Sequence, residues 1–172
     1  MTLNTKPLRP IYLDLDGVFA DFYGYARHLL GRPYRETPPA EAWAALDQVP
    51  NFFRLLGLLE EGRKLWEGLQ AYRHYPMEVL TALPILTGEL HSAAADKAAW
   101  VAENLSPELT VNTVSGGPQK VVFATPGAVL IDDLERNIRL WEQAGGIGIL
   151  HRTAEETLLQ LAQVCAESYS RV

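Results

Sequence analysis

The sequence predicts an α/β protein with a doubly wound parallel sheet and a small helical cap inserted after the first strand. Short runs rich in Val, Ile and Leu recur along the chain, and helical patterns lie between most of them. Several runs are nearly continuous in their hydrophobicity, which is typical of strands buried on both faces of a parallel sheet. Ligands bind at the carboxyl ends of strands in such a sheet, so the residues that follow each run are the first candidates for function.

Five runs are predicted to form the sheet. They are Ile11–Asp16, Met77–Thr81, Leu109–Val114, Ala128–Asp132 and Gly146–Leu150. The helices between and after them show apolar stripes at helical spacing, and each stripe predicts the face that packs on the core. The stripes are Ala94, Ala98, Val101 and Leu105; Leu134, Ile138 and Trp141; and Leu158, Leu161, Cys165 and Tyr169.

The stretch between the first two strands does not fit this alternation. Residues 17–75 contain no obvious strand, and three helical patterns occur there instead. They are Phe22–Leu30, Pro39–Leu46 and Glu60–Tyr72. The connection is too long for a simple crossover. We therefore expect residues 9–17 and 76–172 to form the α/β core and residues 18–75 to form the cap.

Composition and charge narrow the class of protein. The chain has 172 residues, of which 48% are hydrophobic and 21% charged, which fits one globular domain with a small insertion. A net charge of −6 disfavours binding to a nucleic acid duplex. Cys165 is the single cysteine, so no disulfide can form within the chain. The segment "MTLNTKPLRP" has no apolar core of the kind that signal peptides carry. The apolar run "FFRLLGLL" is interrupted by Arg54 and is too short to span a membrane. We expect a soluble, cytoplasmic protein with no membrane partner.

Four aspartates, one threonine and one lysine lie at the ends of predicted strands or in a connection between two of them. They are Asp14, Asp16, Thr81, Lys120, Asp132 and Asp133. Four carboxylates brought together repel each other, and such a group normally persists because a cation lies among them. Oxygen ligands indicate a hard metal, so Mg²⁺ is the expected cofactor. The alternative for any single acid is that it ends a strand or caps a helix, as Asp133 could for the helix near Leu134.

The ordered set resembles motifs I to IV of the haloacid dehalogenase-like (HAD) phosphatase superfamily, in "DLDGV", Thr81, Lys120 and "IDD". The second aspartate of the first motif favours phosphoryl transfer, because the dehalogenase branch lacks it. A closer resemblance is to the 5'(3')-deoxyribonucleotidases, in "DLDGVFADF", "NFFRLL", "DKAAWVAENL" and "LIDDLERNI". The resemblance implies a Rossmann-like core with a small helical cap, which agrees with the fold predicted above.

The resemblance also implies a role for each polar residue. Asp14 would be the nucleophile that forms an aspartyl-phosphate, and Asp16 the general acid and then the general base. Lys120 would offset charge on the phosphoryl oxygens, and Thr81 would hydrogen-bond one of them. The implied metal ligands are Asp14, Asp16 through its backbone carbonyl, Asp132 and Asp133. Asp133 is favoured slightly over its neighbour.

In the resembled family the cap closes on the nucleobase with aromatic side chains. The implied substrate contacts are Phe22, Trp43, Phe53, Thr81, Ala82 and Lys120. Each aromatic could stack on a base and could equally belong to the core of the cap. Two departures bear on the substrate: no basic residue follows Thr81 in "TALPILTGE", and Pro118 stands where the family has an arginine. Lys97 matches a family lysine and is interpreted as a supporting residue.

The leading hypothesis is a Mg²⁺-dependent phosphomonoesterase that hydrolyses ribo- or deoxyribonucleoside 5'- or 3'-monophosphates. One alternative keeps the chemistry and changes the substrate to a sugar phosphate or another small phosphomonoester. A second is a phosphorylated regulatory protein of the receiver type, and a third is a relative that only binds. Receivers place the acceptor aspartate on a middle strand, whereas Asp14 here lies at the end of the first. The oligomeric state is left open, with a homodimer as one option.

Overall fold

The computed structural model of the chain describes residues 9–85 and 92–169. Its strands are β1 (Ile11–Leu13), β2 (Met77–Leu83), β3 (Val111–Ser115), β4 (Val129–Asp132) and β5 (Ile147–Leu150). Its α-helices are α1 (Phe22–Leu30), α2 (Pro39–Leu46), α3 (Glu60–Leu69), α4 (Ala93–Asn104), α5 (Glu135–Gln143) and α6 (Ala154–Tyr169). Short 3₁₀ segments occur at Tyr34–Glu36, Phe52–Leu55, Gln70–Tyr72 and Gly117–Phe123. The strands pair in parallel in the order β3-β2-β1-β4-β5.

The sheet is covered on both faces. Leu13 and Ile131 belong to the larger hydrophobic core, which includes residues of α4 and α6. Leu130 and Trp141 belong to a smaller core on the other face, built with α5. Burial of both faces explains why the runs are nearly continuous in hydrophobicity. The prediction of an α/β fold with a parallel sheet is confirmed.

The first strand is shorter than the predicted run. It ends at Leu13, although the N–H of Asp14 still donates to the carbonyl of Ile131 at 2.9 Å. Beyond it the chain turns back on itself, with the N–H of Gly17 donating to the carbonyl of Ala20 at 2.9 Å. Gly17 has a φ of 84°, a conformation that favours glycine. The polar end of the predicted strand is therefore a turn at the sheet edge.

The predicted apolar face of α4 is wrong at two positions. Ala94 and Ala98 are exposed, whereas Lys97 and Trp100 are fully buried. The Trp100 indole N–H donates to the carbonyl of Leu56 at 2.6 Å. Alanine contributes little burial energy, so the larger Trp100 side chain and the ion pair of Lys97 decide which face turns inward.

The other predicted stripes agree with the structure where it describes them. Ile138 and Trp141 on α5 are buried, and so is Leu161 on α6. Leu158 and Cys165 are half-buried against the core. The side chain of Tyr169 lies outside the described residues.

Helices α1, α2 and α3 occupy the stretch between β1 and β2, as predicted. The side chain of Asp21 caps α1 by accepting a hydrogen bond from the N–H of Gly24 at 2.8 Å. Helix α3 packs on α6, where Glu61 accepts a hydrogen bond from the N–H of Ala154 at 2.8 Å. The division into a core of residues 9–17 and 76–172 and a cap of residues 18–75 stays a prediction. No helix within the described ranges is long and apolar enough to cross a membrane.

Candidate active site

Three of the predicted acids meet at the carboxyl ends of two neighbouring strands, β1 and β4. Asp14 directly follows β1, Asp132 is the last residue of β4, and Asp133 follows it. One carboxylate oxygen from each lies within 4.8 Å of the others, a grouping that could hold a metal ion. The structure thus brings these three acids together, and their roles at a site stay a prediction.

Lys120 joins two of these acids from the 3₁₀ segment after β3. Its ammonium lies 2.7 Å from Oδ1 of Asp14 and 2.6 Å from Oδ2 of Asp132. Burial alone would lower the pKa of this lysine, but the two carboxylates outweigh burial and its pKa is raised. Lys120 is therefore a fixed positive charge beside Asp14.

Asp132 is fully engaged by the protein. Its Oδ1 accepts hydrogen bonds from the N–H of Leu134 at 2.8 Å and from Asn137 at 3.1 Å. Its Oδ2 accepts from Lys120 and, at 3.0 Å, from Asn137. These hydrogen bonds hold the carboxylate in one orientation.

Asp133 has a different environment. Its Oδ1 is buried without a hydrogen-bond partner among the described residues, while its backbone carbonyl accepts from Arg152 at 2.9 Å. Burial raises the pKa of Asp133 to about 6, and the charge of Asp132 adds to this effect. Burial likewise raises the pKa of Asp14 well above its ordinary range, with Asp132 the next cause. A buried carboxylate oxygen without a partner suits a cation, so the donor set fits a hard metal.

Gly17 leaves room for Asp133. A Cβ atom on Gly17 would lie 2.6 Å from Oδ2 of Asp133 and 3.0 Å from the Tyr23 ring. Both the left-handed backbone and the close approach of the carboxylate thus require glycine at this turn. The "DLDG" sequence couples the shape of the turn to the position of an acid from another strand.

Asp16 is held apart from the acid cluster by a buried lysine. Its Oδ2 accepts a hydrogen bond from Lys97, whose ammonium also donates to Oγ1 of Thr81 at 2.9 Å and lies 4.3 Å from the centre of the Phe53 ring. Lys97 and Thr81 are both fully buried. Lys97 thus links the predicted acid–base residue to β2 and to the cap.

A cavity of about 330 Å³ joins the cap to this edge of the sheet. From the core it is lined by Asp14, Asp16, Ala82 and Lys120, and from the cap by Phe22, Trp43 and Phe53. Thr81 does not line it, and its predicted contact with phosphate stays a prediction. Phe22 and Phe53 are 6% and 2% exposed and stack at 6.3 Å between ring centres, so both are also part of the core. Trp43 is only half-buried and offers more surface to a ligand.

Sequence analysis missed Asn137, Tyr23 and Tyr34, which also line this cavity. Asn137 stands one turn into α5, five residues after Asp132, and that spacing was the available signal. Tyr34 contacts Trp43 edge to face at 5.9 Å, but its segment "GRPYRETPP" carries no pattern that indicates a site. The direct contact of Lys97 with Asp16 goes beyond the supporting role that the resemblance implies.

No protein family and no curated protein matches the chain. Among solved structures it is similar to an uncharacterized protein from Corynebacterium glutamicum, with 16% identity, a TM-score of 0.48, and 91% of this chain and 94% of that chain covered. It is also similar to a HAD family enzyme from Bacteroides thetaiotaomicron in a magnesium complex, with 16% identity, a TM-score of 0.48 and coverages of 86% and 95%. A third is D,D-heptose 1,7-bisphosphate phosphatase from B. bronchiseptica, complexed with magnesium and phosphate, with 14% identity, a TM-score of 0.48 and coverages of 89% and 87%. Likeness at this level assigns neither a substrate nor a residue's role to this chain.

Proposed function

We propose that the protein is a Mg²⁺-dependent phosphomonoesterase of the HAD type that hydrolyses nucleoside monophosphates. One observation carries the proposal: Asp14 and Asp16 line one cavity while each is held by a different buried lysine. Two carboxylates with separate electrostatic surroundings are suited to separate tasks, one as nucleophile and one as acid and base.

Asp14 is the proposed nucleophile. Its Oδ1 accepts hydrogen bonds from Lys120 at 2.7 Å and from the N–H of Leu15 at 2.8 Å, which orients the carboxylate and leaves Oδ2 as the proposed attacking atom. Attack on phosphorus breaks the bond to the ester oxygen and forms an aspartyl-phosphate. The charge of Lys120 favours the ionised nucleophile and offsets negative charge on the phosphoryl group.

Asp16 is the proposed proton carrier. In the first step it gives its proton to the leaving alcohol oxygen, and in the second it takes a proton from the water that attacks the aspartyl-phosphate. Inorganic phosphate then leaves and the Asp14 carboxylate is restored. Oδ1 of Asp16 is buried without a hydrogen-bond partner among the described residues, so this oxygen is the one proposed for proton transfer. Lys97 holds the other oxygen in position.

The metal would be held by Asp14, Asp133 and the backbone carbonyl of Asp16, with Asp132 orienting Lys120 beside it. When bound, Mg²⁺ would offset charge on the transferring phosphoryl group. The unpartnered Oδ1 of Asp133 supports its place among the ligands. Asp132 already accepts four hydrogen bonds from three donor groups, which argues for a supporting role there.

The cap supports the nucleotide assignment. A cavity of about 330 Å³ is at the small end of ligand sites, which suits a compact substrate. The half-buried Trp43 meets Tyr34 at its edge and provides an aromatic wall on which a base can stack. A sugar phosphate is the second candidate, because the near-complete burial of Phe22 and Phe53 leaves little further aromatic surface for a base.

A phosphate-release screen tests the proposal. Purified protein would be given ribo- and deoxyribonucleoside 5'- and 3'-monophosphates and common sugar phosphates, with Mg²⁺ or with excess chelator. We expect the highest kcat/KM for a nucleoside monophosphate and no turnover without the metal. A preference for sugar phosphates would replace the nucleotide assignment, and absence of turnover on every ester would exclude the phosphatase.

A further inference from the structure

A second cavity, of about 490 Å³, lies beside the first and has no role in the chemistry above. It shares Tyr23 and Tyr34 with the first cavity and reaches Asp133 of the acid cluster. Two basic residues of the cap line it, Arg27 and Arg35. An anion bound at the acid cluster would therefore have cationic groups on its cap side.

The balance of charge at the site favours a further cationic group near the bound phosphate. The four carboxylates of the site face two lysines, and both lysines are already engaged: Lys120 by Asp14 and Asp132, and Lys97 by Asp16. With a divalent cation bound, the four carboxylates and two lysines would have a total formal charge of zero. A phosphate monoester then adds about two negative charges, so a further positive charge would favour its binding.

The position of Arg35 suits this task. Its guanidinium lies 4.9 Å from the centre of the Tyr23 ring, and one NH₂ group donates to the Tyr23 hydroxyl at 3.4 Å. Cε2 of that ring, next to the carbon that bears the hydroxyl, would lie 3.0 Å from a Cβ atom on Gly17, the same point that Asp133 approaches. Among the described residues, Arg35 forms no salt bridge with a carboxylate. Arg35 is thus a cation at the border of the acid cluster, held by a cation–π contact and one long hydrogen bond with Tyr23.

We propose that Arg35 is a substrate-binding residue whose guanidinium binds the phosphate group from the cap side, opposite Lys120. The planar guanidinium can donate two parallel hydrogen bonds to phosphate oxygens, which a lysine at this position cannot do. The inference rests on the proposed phosphatase function. Arg35 and Trp43 both lie between β1 and β2. In this proposal the cap therefore binds the phosphate group through Arg35 and the rest of the substrate through Trp43.

The test measures binding of inorganic phosphate by calorimetry in the presence of Mg²⁺, so it does not depend on turnover. Arg35→Ala should weaken phosphate binding by about ten- to a hundredfold, the effect of losing hydrogen bonds to a charged group. Arg35→Lys should give an intermediate loss. Arg54→Ala is the matched control, because this exposed cap arginine pairs with Glu103 and lines neither cavity. All variants should keep the wild-type Tm and Mg²⁺ affinity.

Kinetics separates this inference from the proposed function. Arg35→Ala should raise KM by similar factors for a nucleoside monophosphate and for p-nitrophenyl phosphate, because both present the same group. Wild-type turnover with unchanged phosphate binding in Arg35→Ala would overturn the role of Arg35 and leave the phosphatase standing. Phosphate binding that depends on Arg35, in a protein that hydrolyses no ester, would uphold the role of Arg35 and exclude the phosphatase. A loss of phosphate binding that comes with weaker Mg²⁺ binding would also overturn it, because Arg35 would then act through the metal site.

Discussion

At the scale of single residues, the spacing of Asp14 and Asp16 acquires a physical meaning. They are two positions apart, yet Lys120 holds the first and Lys97 the second. The turn at Gly17 directs the chain away after the second acid. Residues this close in sequence therefore have different electrostatic surroundings, which suits the separate tasks proposed for them.

Asp14→Asn should abolish turnover and leave the fold intact. Loss of a covalent nucleophile should lower kcat by at least about 10³-fold. Because burial raises the pKa of Asp14, its ionised form is costly in the metal-free protein, and the neutral amide should not lower the Tm. Phosphate release and thermal melting measured by circular dichroism provide the two readouts.

Asp21→Asn is the control for that substitution. Asp21 caps α1, and asparagine caps equally well, so both activity and Tm should stay at the wild-type values. Near-normal turnover in Asp14→Asn would exclude the covalent mechanism.

The raised pKa of Asp133 predicts how stability depends on pH in the metal-free protein. The unfolded chain releases this proton near the ordinary value of 3.8, whereas the folded protein retains it up to about 6. The folded state thus binds more protons in this interval, and the free energy of unfolding should fall as pH rises from 4 to 7, by up to about 3 kcal/mol from this group. Urea unfolding in chelator at several pH values measures the slope. Asp14 should contribute in the same direction.

Asp133→Asn should remove its share of that slope. Mg²⁺ should reverse the trend in the wild type, because the metal binds ionised carboxylates, and so raise the Tm more at pH 7 than at pH 5. A variant with the same slope as the wild type would show that another group is responsible. A Tm that does not respond to Mg²⁺ would count against the metal site.

Lys97→Met should damage both stability and activity. Methionine fits the buried volume but leaves Asp16 without its cation and Thr81 without its donor. Breaking a buried pair typically costs about 3–5 kcal/mol, and the 24% exposure of the Asp16 side chain places the expected loss toward the lower end. Urea unfolding measures the loss. The double variant Lys97→Met with Asp16→Asn should recover part of the stability and none of the activity, and no recovery would mean that Lys97 acts through packing alone.

At the scale of elements, strands were easier to predict than helix faces. A strand buried on both sides needs only a continuous apolar run, so β4 and β5 lie within a residue of their predicted ends. The face of α4 is decided by contacts distant in sequence, since Lys97 reaches Asp16 and Trp100 reaches Leu56. The two alanines carry too little burial energy to compete with these contacts, so local periodicity was wrong at Ala94 and Ala98.

The orientation of α4 leads to a paired test. Trp100→Ala should lower the free energy of unfolding by about 3–5 kcal/mol, because it empties a fully buried site. Ala98→Glu should change it by less than about 0.5 kcal/mol, because Ala98 faces solvent. Urea unfolding of both variants measures the difference. Strong destabilisation by Ala98→Glu would mean that the alanine stripe packs on the core after all.

At the scale of the whole molecule, parallel strand order brings distant residues to one edge of the sheet. Sequence reasoning could place Asp14, Asp132 and Lys120 there, because each lies at the end of a recognisable strand or in the connection after one. It could not place Asn137, which donates to Asp132, or Arg35, which lies over the Tyr23 ring, because both contacts depend on how a helix and the cap pack against that edge. The acids of the site were thus predictable from local pattern, and the groups that orient them or extend the site were not.

A substitution of Trp43 tests whether the cap selects the substrate while the core supplies the catalytic groups. Trp43→Ala should lower kcat/KM for a nucleoside monophosphate by about one to two decades, since loss of base stacking costs about 1–3 kcal/mol. Turnover of p-nitrophenyl phosphate should fall much less, because the catalytic groups come from the core. Phe53→Leu is the comparison, since Phe53 is nearly buried and packs on Lys97, so it should affect both substrates and the Tm together. If Trp43→Ala instead reduces both substrates equally and lowers the Tm in parallel, Trp43 is part of the cap's core, and the substrate is recognised through its phosphate alone.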